Sequence, residues 1–179
     1  MTPAPDSPPT GLLWYAVHTQ SRHERKVENK LVHHGLACWL AEYACWSKRK
    51  DRRKRIRRPL FSGYLFVQTR MTAQIRLQII QAPSVVRIVG VGHRPVAIPN
   101  QEIESLQRLL STAPEAEPHP AMRKGQLVQV MEGPLSGVIG RVMTEARGKK
   151  IVVTVDLLGR AVAASLETDA VVPYLDQDT

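Results

Sequence analysis

Residues 60–68 read LFSGYLFVQ, and this stretch decides the fold. It is aromatic and largely apolar, a composition that suits a pleated, half-buried surface. It is the strongest strand signal in the chain. In a regular strand Phe61, Gly63, Leu65 and Val67 share one face, and Ser62, Tyr64 and Phe66 share the other. Gly63 is placed to form a bulge that re-aims Tyr64. One face must pack on helices, so some of these rings are core.

Immediately upstream, Ser47 to Arg58 reads SKRKDRRKRIRR. It holds nine basic residues (Lys48, Arg49, Lys50, Arg52, Arg53, Lys54, Arg55, Arg57 and Arg58) and one acid, Asp51. The whole chain of 179 residues has 25 Lys+Arg against 16 Asp+Glu, a formal net charge of +9. This one segment carries +8 of it. Like charges at this density resist burial, so the segment is predicted as an exposed loop or the frayed ends of a hairpin. A solvated loop, phosphate contact with DNA or RNA, and an acidic protein surface all fit it. Repulsion without gain to the fold makes the first unattractive, and phosphate contact is preferred over an acidic protein.

Farther out, residues 12–19 (LLWYAVHT) read as a first strand. Ser21-Arg22-His23-Glu24 fits a capping box for a helix running to about His34, with Val27 and Leu31 buried one turn apart. Gly35 is placed to end it. Arg22, His23, Arg25 and Lys26 stand at its start. A solvated face and a nucleic-acid contact explain them equally well. Residues 36–45 read as a second strand. Ile75 and Ile79, with Ile80 beside them, predict a helix over 72–82, and 85–89 is another strand. Asn100 is a good N-cap for a helix through Leu110, with Ile103, Leu106 and Leu110 on one face. The order of elements is that of an α+β domain over residues 12–110, with a mostly antiparallel sheet.

The character then changes. Residues 111–122 contain three prolines and read as a semi-rigid linker. From Gly125 onward, Val-rich segments alternate with Gly, Pro and Asp turns, which predicts five short strands in a small barrel over 123–175. Residues 123–179 are electrically neutral overall. Residues 1–11, with four prolines, read as a disordered leader.

Several classes are set aside. No apolar run reaches the roughly 20 residues of a membrane span. Cys38 and Cys45 make neither a disulfide scaffold nor a CxxC metal motif, and the histidines are scattered apart from His33-His34. No cofactor, metal or catalytic constellation is expected, and the expected compartment is the cytoplasm.

Four motifs in order carry a resemblance. Trp14-Tyr15-Ala16-Val17 resembles the opening strand of the NusG family of transcription elongation factors. Phe61 to Val67 resembles its Phe-Pro-Gly-Tyr strand, with Ser62 in place of the proline. Gly125 to Val142 looks like a KOW motif, and Gly159-Arg160 resembles the late Gly-Arg of the barrel. The FSGYLFV segment is more similar to specialised paralogues of the RfaH type. Their polymerase-contacting His-Thr-Thr stretch aligns near Ile75-Arg76-Leu77 here, a departure. The resemblance implies a four-stranded amino-terminal sheet flanked by helices and a carboxy-terminal SH3-like barrel. It implies docking on the clamp helices of RNA polymerase's largest subunit, suppression of pausing or termination, and no catalysis. It also implies that the KOW barrel recruits a partner such as a ribosomal small-subunit protein or a termination factor. Phe61, Tyr64 and Phe66, with His18 and Ile88 at the border, are the expected polymerase-binding residues. Lys26 and His23 match positions that in the paralogues meet non-template DNA; nascent RNA is the other polyanion near the bubble. A monomer is expected. The competing class is a ribosome-associated, RNA-binding KOW protein, which would not need the attached α+β domain. Val152, Val153 and Val155 favour strand, so the barrel is expected to be stable as strands.

Overall fold

The computed structural model describes residues 11–46, 54–92, 94–114, 116–120, 125–145, 148–155, 158–166 and 171–174. The leader prediction for residues 1–10 lies outside them. Packing divides the chain into two compact units, Met1–Leu40 with Ser62–Asn100, and Ala41–Phe61 with Gln101–Thr179.

The first unit contains β1 (Leu13–Thr19), α1 (Glu24–His33) and β2 (Ala37–Trp39). Two further strands, β3 (Glu42–Trp46) and β4 (Arg55–Pro59), belong to the second unit. The first unit resumes with β5 (Tyr64–Thr69), α2 (Ala73–Ile80), β6 (Val85–Ile88) and the short pair β7 (Gly90–Val91) and β8 (Arg94–Pro95). Its main sheet has the order β2-β5-β1-β6, and every pairing is antiparallel. One face carries Val17, Leu65 and Val67, which pack with Val27 and Leu31 of α1 and Ile79 of α2. These six side chains are fully buried, each contributing about 1.5–3 kcal/mol relative to exposure. The helix expectation for Val27 and Leu31 therefore holds. On α2, Ile79 is buried, Ile75 is half-buried and Ile80 is exposed. Thr72 caps α2, its hydroxyl accepting from the Ile75 amide at 3.2 Å.

Three local expectations are corrected. Residues 36–45 do not form one strand: the chain breaks at Leu40–Ala41 into β2 and β3, which join different sheets. The capping box does not form. His23 is the N-cap of α1 without a side-chain cap, Ser21 Oγ instead lies 3.4 Å from Ser62 Oγ, and the Glu24 carboxylate is used elsewhere. The strand at 60–68 begins only at Tyr64, because Leu60–Gly63 is a turn in which Gly63 takes φ +81°. Phe61 and Gly63 consequently do not share a strand face with Leu65.

In the second unit β3 and β4 form an antiparallel hairpin. It is anchored by the Ala44 amide donating to the Pro114 carbonyl at 2.8 Å, and by Leu60 donating to Ala41 at 2.8 Å. Then follow α3 (Asn100–Thr112), β9 (Glu117–Pro120), β10 (Leu127–Val130), β11 (Ile139–Glu145), β12 (Gly148–Val155), β13 (Arg160–Ser165) and β14 (Val171–Pro173). The strands from β9 onward make one antiparallel sheet in the order β14-β10-β11-β12-β13-β9. The five strands expected from Gly125 onward are β10 to β14, and a sixth joins them because part of the supposed linker, Glu117–Pro120, pairs with β13. Helix α3 runs past the expected end to Thr112 and buries Leu109 where Leu110 was expected. Its buried Ser105 hydroxyl accepts from the Ile139 amide at 3.3 Å. Val152 lies in a strand, as its β-branched side chain favours. The KOW-like glycines are needed where strands crowd: a Cβ on Gly140 would lie 2.6 Å from the Val152 carbonyl oxygen.

Candidate functional site

The sheet face opposite the helices brings two predicted residues together. His18 of β1 and Tyr64 of β5 are cross-strand partners. Directly opposed residues point to the same face, and these two rings stack with centroids 5.1 Å apart at 24°. Both are half-buried. Their position depends on the turn before Tyr64. The Gly63 carbonyl accepts from the Thr19 amide at 2.8 Å, and the Gly63 amide donates to Glu24 Oε1 at 2.7 Å. A left-handed φ is open to glycine at no steric cost, so the turn that aims Tyr64 requires this residue. His18 Nδ1 is buried and has no hydrogen-bond partner among the described residues. Leaving a buried polar group unpaired costs about 1–3 kcal/mol.

Two of the other expected aromatic residues are buried. Phe66 stacks on Trp39 at 5.5 Å, and Trp39 meets Trp14 edge-on at 6.3 Å. Phe66 is fully buried and Phe61 is 2% exposed. Their area is spent inside the molecule, so neither offers its ring to a surface. Ile88 lies across from Val17 and packs against the helix-covered core, on the opposite face from His18 and Tyr64. Of the five residues expected at a polymerase-binding surface, the structure unites only His18 and Tyr64.

The basic residues fall into two groups. At the start of α1, Arg22, Arg25 and Lys26 are exposed and His23 is half-buried. Arg22 takes φ +68°, uncommon for a side chain with a Cβ. His23 Nδ1 lies 2.9 Å from Ser84 Oγ. Arg25 pairs with Glu28 at 3.3 Å, an exposed ion pair of small energetic weight.

The second group is the hairpin. Lys48, Arg49, Lys50, Arg52 and Arg53 lie outside the described residues. Lys54, Arg55, Arg57 and Arg58 are exposed, the last three on β4. The hairpin expectation holds over Arg55–Arg58, which pair with β3; residues 47–53 of the segment lie outside the described residues. Sequence reasoning missed Trp46, which is 63% exposed and directly opposite Arg55. Its signal was a tryptophan standing at the very edge of the charge run.

Cys38 is half-buried. Burial, and then the Glu28 carboxylate, push its thiol from the ordinary 9.0 up to about 12. Among the described residues no group of His, Cys, Asp and Glu side chains could hold a metal ion. Among them no helix is long and apolar enough to cross a membrane.

Comparison with known proteins agrees with this architecture. The family model described as transcription termination factor nusG matches residues 12–107. A transcription termination/antitermination protein NusG from Vibrio vulnificus is 28% identical over 166 residues, spanning 86% of this chain and 91% of that protein. Its namesake from Thermus thermophilus is 27% identical over 179 residues, spanning 89% and 97%. Among solved structures, one titled for the domain interaction in Thermotoga maritima NusG superimposes with a TM-score of 0.51 at 24% identity, covering 89% of this chain and 96% of that one, a likeness of fold. With the family model covering more than half its length, the chain belongs to the NusG family.

Proposed function

We propose that this protein is a transcription elongation and antitermination factor that docks on the clamp helices of RNA polymerase. The observation that carries the reading is the His18–Tyr64 stack, half-buried on the sheet face opposite the helices and pinned by the Glu24–Gly63 hydrogen bond. A rigid aromatic pair with a polar edge is the kind of anchor a groove offers to an incoming helix. The basic side chains on the hairpin and at the start of α1 meet phosphates of non-template DNA or nascent RNA, positioning the factor without reading sequence. The neutral, strand-rich second half recruits a protein partner, such as a ribosomal small-subunit protein or a termination factor. The factor acts as a cytoplasmic monomer, catalyses nothing, and belongs with the specialised paralogues rather than the housekeeping members.

The experiment is binding of the full chain to core RNA polymerase. Tyr64→Ala combined with His18→Ala is expected to weaken it at least tenfold, since truncating a central aromatic anchor costs about 2 kcal/mol or more. Unchanged binding would show that this face is not the docking surface.

A further inference from the structure

An exposed tryptophan at the edge of a charge run is unusual. Of the three tryptophans, Trp14 and Trp39 pack together at 6.3 Å, whereas Trp46 is 63% exposed. It ends β3, the last described residue before the basic run resumes at Lys54. The register sets its neighbours. Trp46 faces Arg55, and the next pair on that same face is Ala44 with Arg57. The face therefore presents one indole beside two guanidinium groups, roughly 7 Å apart along the strand. Ala44 adds only a methyl, so no bulky side chain on its own strand covers the ring.

The chemistry of this face is specific. Guanidinium groups bind phosphate oxygens, and an indole offers a flat apolar surface to a base. Bases in a duplex are already stacked on their neighbours and cannot use it. An acidic protein surface would use the arginines and leave the ring in water. We propose that Trp46, flanked by Arg55 and Arg57, is a stacking platform that makes the hairpin a binding site for single-stranded nucleic acid. The proposal rests on the reading that the hairpin meets nucleic acid and adds the discrimination between unpaired and paired strands. Arg55 and Arg57 supply the charge that any strand feels, and Trp46 supplies the preference.

The test uses the full chain with a 12-nucleotide oligothymidylate and a duplex of equal length, titrated by anisotropy at several salt concentrations. Trp46→Ala is expected to weaken single-strand binding about tenfold, as loss of one stacked base does. It should leave duplex binding and the salt slope unchanged. Trp46→Phe keeps a stacking face and should retain most of the single-strand affinity, which separates stacking from damage to the hairpin. Tryptophan fluorescence of the unaltered protein should be quenched by the oligonucleotide, and the quenching should vanish in Trp46→Phe. Equal losses on both strands, no loss on either, or competition by polyglutamate as strong as by the oligonucleotide would overturn the platform. The underlying phosphate reading fails separately. If Arg55→Ser with Arg57→Ser leaves the salt slope unaltered while Trp46→Ala still discriminates, stacking stands and phosphate contact falls. If the unaltered protein binds neither strand, both fall.

Discussion

The Glu24 carboxylate accepts a hydrogen bond from the Gly63 amide at 2.7 Å, joining the first turn of α1 to the turn that precedes Tyr64. Glu24 is 3% exposed and sits at the positive end of the helix dipole, where its charge is favoured. The contact fixes where β5 begins and hence where the Tyr64 ring stands. Glu24→Ala is expected to destabilise the protein by about 1.5–3 kcal/mol, the scale of a hydrogen bond to a charged group. Glu24→Gln retains an acceptor oxygen and should lose less. Urea unfolding of the two variants measures the difference, and equal stability in both would remove this contact from the account.

Phe61 and Tyr64 stand three residues apart and differ in environment. Phe61 is buried, so Phe61→Ala should cost about 3–5 kcal/mol of stability. Tyr64 is half-buried, and Tyr64→Ala should cost much less while carrying the larger defect in polymerase binding. Thermal unfolding alongside the binding assay checks the split. A reversed pattern would return Phe61 to the docking surface.

Cys38 should give the protein a measurable alkaline sensitivity. Its thiol is raised from 9.0 to about 12 by burial and by the Glu28 carboxylate. The folded protein thus holds this proton more tightly than the unfolded chain does. The resulting stabilisation is complete below about pH 9 and is lost as pH rises toward 12. Tyr15, whose hydroxyl is also pushed up by burial, acts in the same direction above its ordinary 10.0. Cys38→Ala should flatten the fall in stability across that window. Alkylation by iodoacetamide, which needs the thiolate, should be slow at Cys38 at pH 8 and accelerate only well above pH 9. Fast labelling of Cys38 at pH 8 in the folded protein would contradict the raised thiol.

The exposed cations of β4 should appear in salt dependence rather than in stability. Each phosphate contact contributes a slope of about −0.9 to log K against log salt on duplex DNA. Arg55→Ser with Arg57→Ser is therefore expected to reduce the slope by up to about 1.8. Thermal stability should barely move, because both side chains are exposed. A stability loss with an unchanged slope would assign them to the hairpin's structure instead.

Much of the architecture was legible along the chain. Val27 and Leu31 at helical spacing announced α1 and its buried stripe, and LLWYAVHT announced β1. The glycine-spaced, valine-rich segments from Gly125 onward announced five short strands in a small barrel, and those five strands form, within one antiparallel sheet of six. Expectations failed where one residue decides between continuing and turning. A nominal strand from 36 to 45 breaks at Leu40–Ala41 because its halves find different partners, β5 for the first and β4 for the second. The prolines near residue 118 suggested a linker, yet Glu117–Pro120 adds to the sheet as its edge strand, a position that tolerates residues lacking an amide donor.

For the candidate site, residue types were visible and their grouping was not. Aromatic content marked the segment 61–66 as special, and strand alternation put Phe61 on one face and Tyr64 with Phe66 on the other, but alternation does not say which rings are core. Burial separates them, and burial depends on what lies above each ring. Ile88 and His18 looked like neighbours by alignment, and the pleat puts them on opposite faces.

By itself the sequence determined the α+β amino-terminal half, the strand-rich carboxy-terminal half, the membership in a family of transcription factors, and the concentration of charge in one segment. Those properties are carried by local periodicity, by motif order and by composition, each readable within a short window. Only the tertiary structure decided that Glu24 holds Gly63, that His18 stacks on Tyr64, and that Trp46 stands exposed opposite Arg55. The first two join residues 39 and 46 positions apart, and the third crosses the charge run. Such pairs are set by strand register and by competition for the core, which no local window contains.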